Sequence, residues 1–398
     1  MVSMHTSPDA QPGVAEAGGM NVAILATALE LAARGVEVDL ITRAVDAPSE
    51  HQLAPRVTIH ALAAGERESI ERGTLATIAD EFGEAVARLS RDARYDVIHS
   101  HYWLSGIATL PVAIELGIPF VQSFHTLGAM KNAAAVPGSS PEPDRRLWSE
   151  RYLANQADAI VAVSAAEATQ LIDIVGAPAD KLWVIPPGVD SEFFTPAKAS
   201  RSVAAHAYLG IATDRPIISV IGRLQPLKGQ DLAIRAFARL NEPRPLLAIV
   251  GEPAPGDEGY LDALRALATE LGVSADVRFL GTLDRVEVTY LLANSALTLV
   301  PSYTEPFGLV ALEAAASGTP VVAAAAGGLG EAVLDGETGV LVTSREPADW
   351  ARVIQSLLAD APLRARYGAA GRAHAEGLGW GAAATSVLGV YASLVGRP

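Results

Sequence analysis

A chain of 398 residues is long for one hydrophobic core, so two domains are the expectation. With 50% apolar and 19% charged residues it reads as globular, and a formal charge of −15 argues against general affinity for nucleic acid or anionic membranes. The absence of cysteine excludes disulfides, zinc–thiolate sites and thiol nucleophiles. The opening MVSMHTSPDAQPG lacks the basic and apolar regions of a signal peptide, and runs such as 214–222 or 295–301 are too short to span a bilayer. A cytoplasmic protein acting on small molecules is expected.

The first strand should precede His5-Thr6-Ser7-Pro8, yet just four residues stand before it. Either that strand is short or the true start lies upstream. A polar loop through Gln11-Pro12-Gly13 leads to Ala17-Gly18-Gly19-Met20-Asn21-Val22 and a helix-period run over 21–34. Paired glycines admit a ligand close to the backbone, and N–H groups at a helix start favour anions, although a bare Gly-Gly pair is equally an ordinary turn. Apolar, β-branched strands follow at 38–42, 57–62, 96–101, 120–124, 159–164 and 182–188, with a helix over 165–175. His99, His101 and Tyr102 end one of these strands, and His125 with Thr126 end the next. A zinc site is set aside because no carboxylate lies at ligand spacing, and lone histidines are usually hydrogen-bonded structural groups. Arg145, Arg146 and Glu150 open a helix after GSSPEPD; one could face a cleft, but such arginines are more often surface charges.

Proline, glycine and polar residues over 186–202 read as a linker, after which the alternation restarts. Strands are expected at 216–222, 246–251, 277–281, 297–302, 320–325 and 340–343, with helices over 229–240, 258–271 and 309–317. The pattern implies two doubly wound α/β domains of parallel strands, with ligands at the carboxyl ends of the strands and the reaction in the cleft between the domains. Three segments there carry chemistry. Gly222-Arg223-Leu224-Gln225-Pro226-Leu227-Lys228-Gly229 offers two cations after a buried strand, a cradle for a diphosphate leaving group. Lysine occurs just four times, at 131, 181, 198 and 228, which favours function over chance for Lys228. Glu305 and Glu313, in EPFGLVALE, can accept hydrogen bonds from sugar and ribose hydroxyls. Gly327-Gly328-Leu329 offers a further helix-start anion site.

Together, E-x7-E in its EPFGLVALEA context, the GRLQPLKG loop and the GGL turn resemble the retaining GT-B glycosyltransferases of the sucrose-synthase and glycogen-synthase-like superfamily. The stretches HTSP, QPG, AGGMNV, DVIHSHYWLSG, HTLGAMKN, VPSYTEPFGLVALEA and GTPVVAAAAGGL are most similar to its actinobacterial mycothiol-pathway branch. That branch moves N-acetylglucosamine from UDP-GlcNAc to 1L-myo-inositol 1-phosphate.

The resemblance implies two facing Rossmann-like domains: residues 1–190 for the acceptor, with a C-terminal helix at about 380–398 packed back on them, and 191–379 for the nucleotide sugar. It assigns catalysis to His125, Arg223, Lys228 and Glu305. His5, Gln11, Pro12, Gly19, Leu283, Gly308, Leu309, Glu313, Gly327, Gly328 and Leu329 complete the donor site. Glu16, Met20, Asn21, Arg72, Tyr102, Thr126 and Arg146 would meet the acceptor. Glu16 stands where the family has Asp, and Arg72 where it has a phosphate-binding Lys. The resemblance further implies retained anomeric configuration without a protein nucleophile, no obligatory metal or Mg2+, and a homodimer. The same chemistry on another acceptor, a nucleotide-sugar epimerase and a non-catalytic sugar-nucleotide binder are the alternatives.

Overall fold

The computed structural model describes residues 1–13, 16–68, 70, 72–134, 136, 141–197, 215–254 and 256–396. Strands β1 (Val38–Arg43), β2 (Ser49–Ala54) and β3 (Val57–Leu62) form one sheet in the order β1-β3-β2. Strands β4 (Ile98–His101), β5 (Phe120–Ser123), β6 (Ala159–Ala162) and β7 (Leu182–Val184) form another in sequence order. The short opening segment joins them: Val2 bridges Ile41 of β1 on one side and Ser100 of β4 on the other. Its ladder includes Val2 N to His99 O and Ser3 N to Ile41 O, each 2.9 Å. The chain leaves this segment at the point where the strand order reverses, so the His5–Pro8 loop starts at a topological switch point.

The second half forms a six-stranded sheet from β8 (Ile217–Ile221), β9 (Leu246–Val250), β10 (Val277–Phe279), β11 (Leu297–Val300), β12 (Val321–Ala324) and β13 (Gly339–Val342). Its order is β10-β9-β8-β11-β12-β13, with reversal between β8 and β11. The loops after those two strands carry the cationic segment and the first glutamate.

Each strand expected from the sequence has a counterpart. The expectation of wholly parallel sheets needs one correction: β2 was not anticipated, and it pairs antiparallel with β3. Its SEHQLA sequence is polar and almost wholly exposed, as suits an edge strand with no second face to cover. The remaining ladders are parallel.

The second sheet is buried on both faces in a core including Ile218, Leu247, Leu299, Val322 and Trp350. Val189 and Phe194, within the expected linker, belong to that core. In the first half, Phe82, Leu104, Phe120 and Leu153 pack on one face of the sheets. On the other, Ile24, Leu31, Leu40 and Ile59 pack with Trp380, Ala384, Val387 and Val390 of the last helix, Trp380–Leu394. Among the described residues no helix is long and apolar enough to cross a membrane.

Candidate active site

The turn after β8 is tightly held. Leu224 donates its N–H to Glu252 O and accepts from Ala254 N, while Gln230 Nε2 reaches Arg223 O at 2.9 Å. Leu227 O receives Tyr303 N at 2.8 Å, so this turn is tied directly to the loop after β11. That loop is braced from below by Arg345, whose Nη1 donates to Pro301 O at 2.7 Å while its guanidinium lies 3.8 Å from the Tyr303 ring centroid. The bracing brings Lys228 Nζ to 2.6 Å from Glu305 Oε2, an oxygen that also accepts from Ser302 Oγ at 3.2 Å.

Gly308 has φ +104° and begins the apolar helix Leu309–Ala316; a Cβ there would stand 2.6 Å from Leu329 Cδ2. This left-handed, crowded position requires glycine.

Two adjoining chambers meet at this point. One, of 210 Å³, is lined by Pro12, Leu283, Arg285 and Glu313, among others. The second, of 200 Å³, is lined by His5, Glu16, Met20, Asn21, Tyr102, His125, Thr126 and Lys131. They share Gly18, Gly19, Arg223, Lys228, Glu305, Gly308 and Leu309. The halves of the chain therefore touch at the shared wall, where Arg223 Nη1 lies 3.3 Å from Glu16 Oε2. In the first chamber, burial pushes the Glu313 carboxyl up to about 7, with Arg285 pulling the other way.

The second chamber is shaped by strained backbone. Tyr102 and His125 have φ of +72° and +59°, left-handed values that bulky residues adopt when their surroundings compel it. Asn21, 1% exposed, accepts Gly18 N–H on its side-chain oxygen and donates to Thr6 Oγ1 and Ser7 O. It thereby locks the His5–Pro8 loop to the Gly-Gly turn.

His101 Nδ1 lies 2.9 Å from His125 Nε2, and His99 stacks on His101 with centroids 4.2 Å apart. His99 is pinned at both ring nitrogens, by Tyr391 OH at 2.7 Å and Ser123 Oγ at 2.9 Å. Desolvation holds the His125 imidazole down to about 4 and keeps His99 and His101 well below the ordinary histidine range, so all three are neutral at pH 7.

Several expectations change. Arg146 and Glu150 are not surface charges: each side chain is 1% exposed, and Arg146 Nε donates to Glu150 Oε1 at 2.7 Å. Arg146 also donates from Nη2 to Thr126 O and Oγ1, and its guanidinium lies 5.0 Å from the Tyr102 ring. It therefore braces two residues of the second chamber from behind and lines neither chamber. Gln11 is exposed and lines neither.

Gly327, Gly328 and Leu329 stand behind Glu305. Gly328 donates its N–H to Glu305 O at 2.8 Å, Leu329 is fully buried, and the helix they open has four residues. Of the N–H groups at this helix start, that of Gly328 is therefore committed to holding the Glu305 loop. The Arg72 side chain lies outside the described residues.

Sequence reasoning missed Arg285, Gln230, Arg345 and the His101–His125 pair. Strand-end position pointed to the histidines singly; their pairing depends on β4 and β5 being neighbours. Lys131, flagged in the sequence only by its rarity, lines the second chamber with its ammonium 2.7 Å from Glu142 Oε1.

Residues 17–193 match Glycosyltransferase Family 4, and residues 204–374 match Glycosyl transferases group 1. The chain is 43% identical over 404 residues to a D-inositol 3-phosphate glycosyltransferase of Nocardia farcinica, covering 99% of this chain and 88% of that one. Among solved structures, a sucrose-phosphate synthase of Thermosynechococcus elongatus superposes with a TM-score of 0.91 at 31% identity, covering 99% of this chain and 98% of that one. Anabaena HepE in complex with UDP and glucose superposes with a TM-score of 0.80 at 24% identity, covering 96% and 98% of the two chains, which bears on the fold. With two switch points facing one shared wall, both halves matched, and such identity along nearly its whole length, this chain belongs to the group 1 glycosyltransferases of GT-B fold and is an enzyme.

Proposed function

We propose that the chain moves N-acetylglucosamine from UDP-GlcNAc to 1L-myo-inositol 1-phosphate with retention of configuration. The observation that carries transfer is the shared wall, where Arg223 and Lys228 stand between two adjoining chambers. The choice of acceptor is supported by the likeness to the Nocardia farcinica relative, and that of a nucleotide-sugar donor by the likeness to HepE. In this reading residues 1–190 with the last helix hold the acceptor, and 191–379 hold the donor.

The donor enters the chamber of Glu313, whose carboxyl oxygens accept from the ribose hydroxyls. Its diphosphate meets Arg223 and Lys228, displacing their carboxylate partners Glu16 and Glu305. Glu305 is then free to accept from donor-sugar hydroxyls. As the anomeric bond breaks, negative charge gathers on the leaving diphosphate, where fixed cations stabilise the transition state more than the ground state. The acceptor hydroxyl attacks from the same face and gives its proton to the leaving phosphate oxygen, so the step needs neither a protein nucleophile nor an obligatory metal.

Mass spectrometry of the purified chain with UDP-GlcNAc and 1L-myo-inositol 1-phosphate tests this, with UDP-glucose and unphosphorylated inositol as controls. Product in the matched pair alone, with α configuration by NMR, is expected. Hydrolysis of UDP-GlcNAc without acceptor product would overturn the acceptor. A second reading, in which a sugar phosphate accepts, is favoured by the superposition on sucrose-phosphate synthase and is separated by the same assay with fructose 6-phosphate.

A further inference from the structure

The three neutral histidines at the ends of β4 and β5 are more than core filling. His99 is held at both ring nitrogens and presents its face to His101. His101 is 4% exposed, and its Nδ1 makes the 2.9 Å contact to His125 Nε2 while its own Nε2 is buried without a hydrogen-bond partner. Behind the row lies a 40 Å³ cavity lined by His99, His101, Ser123 and His125 and bordered by Trp380 and Val387 of the last helix.

Two neutral proton arrangements satisfy the short contact. If His125 Nε2–H donates, His101 must carry its proton on Nε2, leaving a buried N–H with no acceptor. If His101 Nδ1–H donates, its Nε2 is a bare lone pair, and His125 must carry its proton on Nδ1. A buried orphan donor is the rarer and costlier defect, so the second arrangement wins. We infer that His101 is a positioning residue, which fixes His125 as the Nδ1–H tautomer and so makes it a hydrogen-bond donor toward the substrates.

The left-handed backbone at His125 supports this, since a strained residue keeps its place only when its surroundings over-determine it. The same row extends the control outward: Tyr391, on the last helix, orients His99, which orients His101. A donor at His125 suits an oxygen that gains negative charge or loses a bond during transfer. An acceptor there would repel it.

The inference rests on the reading of His125 beside the reacting sugar, and its test is read without substrate. Two-bond proton–nitrogen correlation spectra of the 15N-histidine-labelled chain, with the His125 signals assigned by their loss in His125→Gln, report the tautomer directly. Wild type should show Nδ1–H. His101→Asn, whose amide can donate from nearly the same place, should keep that tautomer and most of the turnover. His101→Leu removes the donor that holds the His125 ring and should lower kcat by roughly 10–100-fold, the range seen when the partner that orients a metal-bound histidine is lost, with the donor KM little changed. An Nε2–H His125 in wild type would overturn the inference, as would His101→Leu retaining the kcat of wild type. Failure of wild type to glycosylate any inositol phosphate would instead sink the acceptor reading and leave the tautomer result standing.

Discussion

Lys228→Ala separates the two roles this ammonium can have. In the unliganded chain it is paired with Glu305 at 2.6 Å, with the two side chains 25% and 15% exposed. A charge-assisted bond contributes roughly 1.5–3 kcal/mol, and partial access of water trims that toward about 1 kcal/mol. The substitution should therefore move the thermal midpoint little. In the reaction the same cation faces charge that grows as the anomeric bond breaks, and loss of one such stabilising group costs about 2.7–4 kcal/mol of the barrier. The transition-state term exceeds the ground-state term, so kcat should fall roughly 100–1,000-fold. The Lys228–Glu305 pair breaks when the donor binds, so its absence in the variant bears on the donor KM and leaves the drop in kcat as it is. The assay is UDP release at saturating donor and acceptor, with Lys228→Arg as a control expected to recover part of the loss. Turnover within about threefold of wild type, less than 1 kcal/mol on the barrier, would refute the diphosphate role.

Glu313→Gln tests the raised carboxyl in the donor chamber. Its folded value of about 7 lies above the 4.5 of a free glutamate, so the native state holds the extra proton between them and this group's stabilisation is lost as pH rises through about 7. The thermal midpoint of the wild type should fall more over that window than that of Glu313→Gln; parallel pH profiles would sink the assignment. Glu167, also pushed up to about 7, acts in the same direction in both proteins and cancels from the comparison. Gly328→Ala places a Cβ 2.2 Å from Pro306 O, a backbone atom that cannot swing aside. It should destabilise the chain by about 1–3 kcal/mol or more and weaken donor binding by shifting the Glu305 loop. An unchanged melting curve would contradict the crowding.

The alternation of apolar strands and helices was legible because strands buried on both faces must be continuously apolar, and the switch points followed from it. β2 escaped because SEHQLA faces water and has the composition of a loop. Lys228 and Glu305 could be singled out separately from their places after buried strands, while their 2.6 Å pairing depends on β8 and β11 lying side by side. Arg146 was misjudged for a related reason. Composition makes a helix-start arginine look solvated, but two turns of helix carry both Arg146 and its buried partner Glu150 inward beneath Thr126. Gly327–Leu329 illustrate the limit of local motifs: a glycine pair before a helix resembles an anion cradle until the N–H groups are traced, and here Gly328 already serves Glu305.

The last helix, Trp380–Leu394, completes a core otherwise built from residues before 190. During synthesis the first half therefore leaves the ribosome with the apolar face of its opening helix uncovered, and it waits for nearly the whole second half to be made. The six-stranded domain, whose core needs nothing from residues 380–394, can close earlier although it is encoded later. Order of emergence and order of completion are reversed in this chain, and the half that carries the histidine row is the last to become whole.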